Sequence, residues 1–221
     1  MIPKILTIVP NKNRKPSGFY ESFVQNTKHS DLIFAVEQNF HKKEFHIENA
    51  SYEIIPQTDR KGCVFPLNYV ANKYCKHYTH LVFMADDNRI RTKDWDVILY
   101  ESIKNVKFGI AYPNDLLQGE NLPTVVMLDS MIVRTLGYMV PDMFVHQYAD
   151  NFWKDLGQRF NTLRYLPDVV VEHLTWVNQK SSIDPLYEQG LSLEQISTQR
   201  YFEYKEKYFE VDVNRLLSAA G

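Results

Sequence analysis

The chain has 221 residues, which suits one domain with a large core, and its composition of 44% hydrophobic and 24% charged residues excludes a disordered protein. Lys and Arg number 25 against 27 Asp and Glu. The resulting formal net charge of -2 excludes a protein that holds nucleic acid by bulk charge alone, although a local basic groove stays open.

Cysteine usage and the lack of targeting patterns bear on location. Cys63 and Cys75 cannot form a disulfide framework and match no zinc motif, which is typical of a reducing compartment. No apolar run reaches the roughly 20 residues of a membrane helix. The N-terminal segment runs into a strand pattern without a signal-peptide cleavage region. We therefore expect a soluble, cytoplasmic protein without membrane insertion.

The first half of the chain alternates strands and helices. Apolar, β-branched runs predict strands at residues 4–9, 31–36, 52–55 and 80–85. Helices are expected at residues 19–27 and 66–75. Ser17 is a candidate cap of the first helix, and Pro66 suits the first turn of the second. The alternation predicts an α/β fold with a largely parallel sheet.

The second half is less regular. Strands are expected at residues 108–112, 124–129 and 163–171, and helices at residues 96–104, 130–136 and 148–158. Pro167 inside the last strand predicts an edge or a bulge. The charged segment 193–217 is expected to form a surface or appended helix.

Polar side chains follow three of the predicted strands, at Pro10-Asn11, Glu37-Gln38 and Asp86-Asp87-Asn88. Ligands of open α/β sheets gather at such carboxyl ends of strands. Two adjacent carboxylates after an apolar strand are costly to desolvate unless a cation or hydrogen bonds compensate. Oxygen ligands of this kind suit Mg²⁺ or Mn²⁺, which in turn bind a diphosphate. A simple turn cap explains the acidic pair alone about equally well.

Two later residues add to this pattern without being specific alone. Asp150 stands at the start of a predicted helix, where a helix cap is the simpler interpretation. That position is expected to keep it ionised near neutral pH. His173 follows an apolar strand, where a histidine is more often a hydrogen-bonded core residue than a ligand.

A set of motifs extends the pattern to about Tyr187. Its members are Ile8-Val9-Pro10 with Asn13-Arg14, residues 83–89 with Arg91-Thr92 and Trp95-Asp96, and residues 111–115, 122–124, 136–138, 146, 150–153 and 165–173. Together they resemble the GT-A nucleotide-sugar glycosyltransferases, most closely compact, phage-type proteins of that kind. The chain departs from the common pattern at Asn88, where an Asp-x-Asp motif has its second Asp, and at Ala149, where many relatives carry Glu.

The resemblance implies a GT-A domain over residues 1–190, with a Rossmann-like, mostly parallel sheet, and a helical C-terminal extension over residues 191–221 packed on it. It implies transfer of a sugar from a nucleoside-diphosphate sugar to an acceptor hydroxyl, with Mn²⁺ or Mg²⁺ as cofactor. Asp150 would be the general base of an inverting displacement. Asp87, Asn88 and His173 would hold the cation, and Asn88→Asp is expected to preserve or strengthen that site. The residues expected to contact the nucleotide are Pro10, Asn11, Arg14, Glu37, Asn68, Asp86 and Lys180, with Lys12 as a further diphosphate contact.

Two alternative functions are weighed against this one. A nucleotidyltransferase would usually carry a Gly-rich loop after its first strand, and residues 11–16 contain no glycine. A non-catalytic module that binds a nucleotide sugar, a glycan or DNA stays open because of Asn88. For the enzyme, the candidate acceptors are a modified base in phage DNA, such as a hydroxymethylated pyrimidine, a glycan or a virion protein.

Overall fold

The structure is a computed structural model that describes residues 2–60, 62–181 and 185–221. Within these ranges a sheet forms the centre of the fold. Its strands are β1 (Ile5–Pro10), β2 (Ser30–Glu37), β3 (Tyr52–Ile55), β4 (His80–Phe83), β5 (Asn88–Ile90), β6 (Ile110–Asn114), β7 (Val126–Asp129) and β8 (Leu163–His173). The helices are α1 (Ser17–Asn26), α2 (Val64–Tyr74), α3 (Trp95–Ile103), α4 (Ser130–Leu136), α5 (Ala149–Arg159), α6 (Pro185–Ser192), α7 (Glu194–Lys207) and α8 (Phe209–Ala220).

The strand order in the sheet is β3-β2-β1-β4-β7-β6-β8-β5. The first four strands in this order are parallel. β7 is antiparallel to both neighbours, and β8 is parallel to β6 but antiparallel to β5. A short 3-10 turn, Gly119–Asn121, stands between β6 and β7 in place of a crossover helix, so the chain returns antiparallel. The predicted α/β class is confirmed, and so is the strand predicted over residues 124–129, which is β7. The short strand β5 and the antiparallel direction of β7 were not predicted from the sequence.

The sheet is buried on both faces. In β1, Leu6 and Ile8 belong to one apolar cluster, whereas Ile5 and Val9 belong to the other. The first cluster includes residues of α2, α4, α5 and α8, and the second includes residues of α1 and α3. This double burial is why the strand appears as a continuous apolar run instead of an alternating one.

The C-terminal helices contribute to the main core. Tyr204, Phe209, Val213 and Leu216 are all buried in the same cluster as the strand residues of β1. The single helix predicted over residues 193–217 is broken at Tyr208, which lies between α7 and α8. The buried face consists of aromatic and aliphatic residues spaced among charged ones, so the segment has the composition of a surface helix. The domain boundary at residue 190 stays a prediction.

Three local predictions have clear outcomes. Ser17 is not a cap, because it is the first residue of α1 and Pro16 precedes it without a side-chain cap bond. The strand predicted to reach Ala85 ends at Phe83, since the chain turns there before β5. The bulge predicted at Pro167 is confirmed, because the β6–β8 register jumps from Leu166 to Val170. Among the described residues, no helix combines the length and apolar character needed to cross a membrane.

Candidate functional site

A cavity of about 340 Å³ opens where β1, β2 and β4 end and α5 begins. This is the strand-end position expected for a ligand in an α/β sheet. The predicted site residues that line it are Pro10, Asn11, Arg14, Glu37, Asp86, Asp87, Asp150 and His173. The structure therefore brings together residues that lie up to 163 positions apart in the chain.

Asp86 joins the ends of β1 and β4. Its Oδ2 accepts a hydrogen bond of 2.8 Å from Asn11 Nδ2, and its Oδ1 accepts one of 2.9 Å from Arg14 Nη1. Burial raises the pKa of Asp86 to about 6, with the charge of Asp87 adding to the rise and that of Arg14 opposing it. Asp86 thus holds the basic loop after β1 over the cavity.

A second part of the cavity wall lies at the end of β2. Glu37 is buried there, and burial raises the pKa of its carboxyl, while a hydrogen bond with the backbone of Thr58 and the charge of Lys12 oppose the rise. Lys12 Nζ lies 4.1 Å from the ring centroid of Phe40. A carboxylate acceptor beside an aromatic ring and a cation can bind the ribose and base of a nucleotide.

Asp87 and His173 face each other across two strands that are distant in sequence. β5 and β8 pair with Asn88 opposite His173, and the N–H of Leu174 donates to the carbonyl of Asp87 at 3.1 Å. The side chains meet with His173 Nε2 at 3.4 Å from Asp87 Oδ1. Burial lowers the pKa of His173, but its interactions with Asp87 and the charges of Asp115 and Asp150 outweigh burial, so the net pKa is raised.

The Asp87–His173 pair fits a divalent cation. Within the described ranges, no group of three or more acid, thiol or imidazole side chains gathers as a closed metal site. One carboxylate and one imidazole are, however, a suitable protein contribution when a diphosphate and water supply the remaining ligands. A cation there would also offset the negative charge that now favours a proton on His173.

Asp150 lies in the first turn of α5, but it is not the helix cap, since Tyr148 occupies that position with φ of 72°. Burial raises the pKa of Asp150 to about 7, with the charge of Asp115 adding to the rise and that of His173 opposing it. The helix start was expected to keep Asp150 ionised near neutral pH, and burial of the carboxyl opposes that effect of the helix dipole. A carboxylate that titrates near pH 7 is well suited to accept a proton.

The sequence analysis missed the roles of Asp115 and Thr124, which lie beside this group. Asp115 is buried at the end of β6, and Thr124 lines the cavity. The hydroxyl of Thr124 donates a hydrogen bond of 2.7 Å to Asp115 Oδ2, and the carbonyl of Asp115 accepts the N–H of His173 at 3.0 Å. The only indication of this role in the sequence was that Asp115 is an acidic residue shortly after a predicted strand.

The wall beyond Asp150 is formed by small and neutral residues to which the sequence assigned no role at the site. Gly62 has φ of +82°, and a Cβ there would lie 2.0 Å from the carbonyl oxygen of Val145. Cys63 is next in the chain, and burial, helped by the charge of Asp150, raises the pKa of its thiol to about 12. His146, Gly190 and Leu193 complete this wall.

Two asparagines predicted at the site have structural roles instead. Asn88 is 1% exposed, does not line the cavity, and accepts the N–H of Ala85 on its Oδ1 at 2.8 Å. It stabilises the turn that carries the acidic pair, and the structure does not place this predicted metal ligand at the cavity. Asn68 is also buried away from the cavity, where its amide hydrogen-bonds to the backbone of Met139 and Val140.

Lys180 does not reach the cavity either. Its Nζ lies 2.5 Å from Glu172 Oε1, while Arg91 binds the other oxygen of Glu172 at 2.6 Å. Glu172 precedes His173 in β8, and neighbouring residues of a strand point to opposite faces. The predicted diphosphate contact from Lys180 is therefore replaced by an ion pair behind the site.

Comparisons with known proteins address the fold. No protein-family model and no curated protein sequence matches the chain. A mannosyltransferase from Pyrobaculum calidifontis, in complex with GDP-Man and Mn²⁺, has 12% identity and a TM-score of 0.58 over 99% of this chain and 74% of its own. Glucosyl-3-phosphoglycerate synthase from Mycobacterium tuberculosis, with Mn²⁺, UDP and phosphoglyceric acid, has 12% identity and a TM-score of 0.57 over 88% and 76%. A putative nucleotide-diphospho-sugar transferase from Desulfovibrio desulfuricans has 12% identity and a TM-score of 0.53 over 90% and 98%. The chain therefore has the fold of these nucleotide-sugar glycosyltransferases.

Proposed function

We propose that the chain is a metal-dependent glycosyltransferase that moves a sugar from a nucleoside-diphosphate sugar to an acceptor hydroxyl. The observation that carries the proposal is that one cavity contains the Asp87–His173 pair, the cations of Arg14 and Lys12, and the carboxyl of Asp150. The shared fold supports the same reaction class. Phosphate ligands, a cation site and a base are the groups that such a transfer needs.

The donor end of the cavity is formed by the loop after β1 and the turn after β4. Arg14 offers a planar guanidinium to the diphosphate, and Lys12 offers a point charge. Glu37 accepts hydrogen bonds from the ribose or the base. A divalent cation held by Asp87 and His173 would stabilise the charge that develops on the leaving diphosphate.

Asp150 is the proposed base. The acceptor oxygen forms a bond to the anomeric carbon while the bond from that carbon to the diphosphate oxygen breaks, and the electron pair leaves with the diphosphate. The proton of the acceptor hydroxyl moves to the Asp150 carboxylate. A single displacement of this kind inverts the anomeric centre.

The candidate acceptors are a hydroxymethylated pyrimidine in phage DNA, a glycan and a virion protein. The phage setting and the cytoplasmic location stay predictions.

The test is a calorimetric screen of UDP-, GDP-, CMP- and TDP-linked sugars with Mn²⁺, Mg²⁺ or EDTA, followed by turnover assays on a hydroxymethylated DNA duplex and on oligosaccharides. We expect binding that needs the metal, followed by turnover. Failure of every nucleotide sugar to bind with either metal would rule out the proposal, and binding without any turnover would favour a non-catalytic module.

A further inference from the structure

Asp115 has an unusually complete set of hydrogen bonds for a buried carboxylate. It is 1% exposed, and its Oδ1 accepts three backbone N–H groups, from Leu117, Gln118 and Gly119, at 2.7 to 3.0 Å. Its Oδ2 accepts the hydroxyl of Thr124 at 2.7 Å. Residues 115–124 are thereby closed into a loop around one fixed charge.

This arrangement determines what the Thr124 hydroxyl can do. A threonine hydroxyl has one proton to donate and two lone pairs to accept with. Because the carboxylate of Asp115 only accepts, the single proton of Thr124 is directed to Asp115. Thr124 lines the cavity, and with its proton donated to Asp115 its hydroxyl oxygen can only accept a hydrogen bond from a ligand bound there. Only a ligand with a hydrogen-bond donor, such as a sugar hydroxyl, can form a hydrogen bond with the oxygen of Thr124.

Thr124 lines the same cavity as the cation pair and the base. The carbonyl of Asp115 accepts the N–H of His173 at 3.0 Å, which connects the Thr124 loop to the donor end. The charge of Asp115 also acts on the carboxyl of Asp150, which places the loop close to the base. In a single displacement, the transferred sugar must lie between the leaving diphosphate and the base.

We infer that Thr124 Oγ1 accepts a hydrogen bond from a hydroxyl of the transferred sugar, and that Thr124 is therefore a residue that determines donor-sugar specificity. The inference rests on the proposed function. Asp115 acts through Thr124 as a positioning residue, because it fixes the direction of the hydroxyl proton. A threonine that only braced the loop would affect stability, but it would not distinguish a nucleotide sugar from the nucleoside diphosphate alone.

The test compares the affinities of Thr124→Val and Thr124→Ser for ligands with and without the sugar. The probes are UDP-glucose, UDP-galactose and GDP-mannose, and UDP and GDP as their sugar-free counterparts, all with Mn²⁺ and measured by calorimetry. Thr124→Val should weaken binding of the preferred nucleotide sugar about 10- to 100-fold, as for a hydrogen bond strengthened by a charged partner. It should leave UDP or GDP affinity unchanged, and Thr124→Ser should resemble the native chain.

A control variant separates recognition from stability. Thr162→Val removes a threonine hydroxyl that donates to the carbonyl of Phe108 outside the cavity. It should lower the melting temperature without changing either affinity. A deoxy analogue of the bound sugar then identifies the hydroxyl, since its loss should weaken binding to the native chain and not to Thr124→Val.

The outcomes are distinct. Equal loss of affinity for nucleotide sugar and nucleoside diphosphate in Thr124→Val, or no loss at all, would overturn the role of Thr124 while leaving the proposed function intact. A native chain that binds none of the UDP-, GDP-, CMP- or TDP-linked sugars with Mn²⁺ or Mg²⁺ would instead overturn the proposed function, and the inference with it.

Discussion

Arg14 and Asp86 form an ion pair of 2.9 Å between the loop after β1 and the turn after β4. The pair lies at the cavity, where the side chains are 25% and 11% exposed. The pair fixes Arg14 beside the cavity, where the positive charge of its guanidinium can act on a diphosphate.

Replacing Arg14 with Gln should weaken nucleoside-diphosphate affinity about 10-fold, which corresponds to about 1.4 kcal/mol and is typical of one charge-assisted hydrogen bond. The measurement is calorimetry with UDP or GDP in the presence of Mn²⁺. Lys180→Ala is the matched control, because this cation pairs with Glu172 away from the cavity. An equal loss of affinity in both variants would contradict the assignment of Arg14.

Asp150→Asn should lower turnover by about two to four orders of magnitude, the usual contribution of general-base catalysis. Donor affinity should change little, because the amide keeps the shape of the side chain. Turnover and calorimetry on one preparation give both quantities. Asp168→Asn, the same change at an exposed carboxyl outside the cavity, is the control and should keep full turnover. Near-native turnover in Asp150→Asn would remove Asp150 from the mechanism.

Although Asp150→Asn should lower turnover, it should raise the stability of the folded chain above neutral pH. The pKa of Asp150 is raised from 3.8 to about 7 in the folded chain, so ionising this carboxyl opposes folding. That opposition is absent below about pH 4, grows as the pH rises, and is complete above about pH 7. Asp150→Asn should therefore melt at a higher temperature than the native chain at pH 8, with the gain disappearing toward pH 4. A lower melting temperature at pH 8 would show that the carboxylate stabilises the fold.

Turnover should depend on pH through Asp150. A base works only when ionised, so kcat should rise from pH 5.5 to pH 8 with a midpoint near the pKa of about 7. The titratable groups that interact electrostatically with this carboxyl are Asp115, directly after β6, His173, in β8, and Cys63, directly before α2. The assay uses saturating donor and Mn²⁺ at each pH. A profile that is flat across this interval would exclude Asp150 as the titrating base.

Two substitutions in the turn after β4, at Asp87 and at Asn88, test the proposed cation site together. Asp87→Ala removes one of the two proposed cation ligands, so nucleotide-sugar affinity with Mn²⁺ should fall to the value measured in EDTA. Asn88→Asp should not strengthen metal binding, in contrast to the expectation from the sequence, because Asn88 is buried and faces away from the cavity. It should lower the melting temperature, since it buries a charge next to an existing acid. Stronger Mn²⁺ binding by Asn88→Asp would reinstate residue 88 as a ligand.

Truncation tests the boundary proposed at residue 190. A chain that ends there loses Tyr204, Phe209, Val213 and Leu216 from the main core. Deleting even one large core side chain costs about 2–5 kcal/mol, and a whole domain is stable by only about 5–15 kcal/mol. Residues 1–190 alone should therefore lack a cooperative thermal transition. A cooperative transition with retained nucleotide binding would show that the C-terminal helices are an independent extension.

The sequence predicted those parts of the site that depend on local pattern. Continuous apolar runs identified β1, β2 and β4, and the rule that ligands bind at strand ends brought Glu37 and Asp87 to one cavity. The pairing of β5 with β8 was not predictable, because β5 has three residues and its partner lies more than 80 positions away. The structural partners of Asn68 lie about 70 positions away in the sequence, and Lys180 pairs with the nearby Glu172 instead of facing the cavity. In a sequence, a polar residue satisfied inside the fold looks the same as one that binds a ligand.

The contact between Gly62 and Val145 restricts how this cavity can change in evolution or by design. The two backbones are so close that any side chain at residue 62 would displace one of them. The position of the cavity wall beyond Asp150 is therefore fixed by the close approach of the backbones of Gly62 and Val145. Variants with a wider or narrower cavity should arise at the side chains of this wall, such as Cys63, His146 and Leu193, while residue 62 stays glycine.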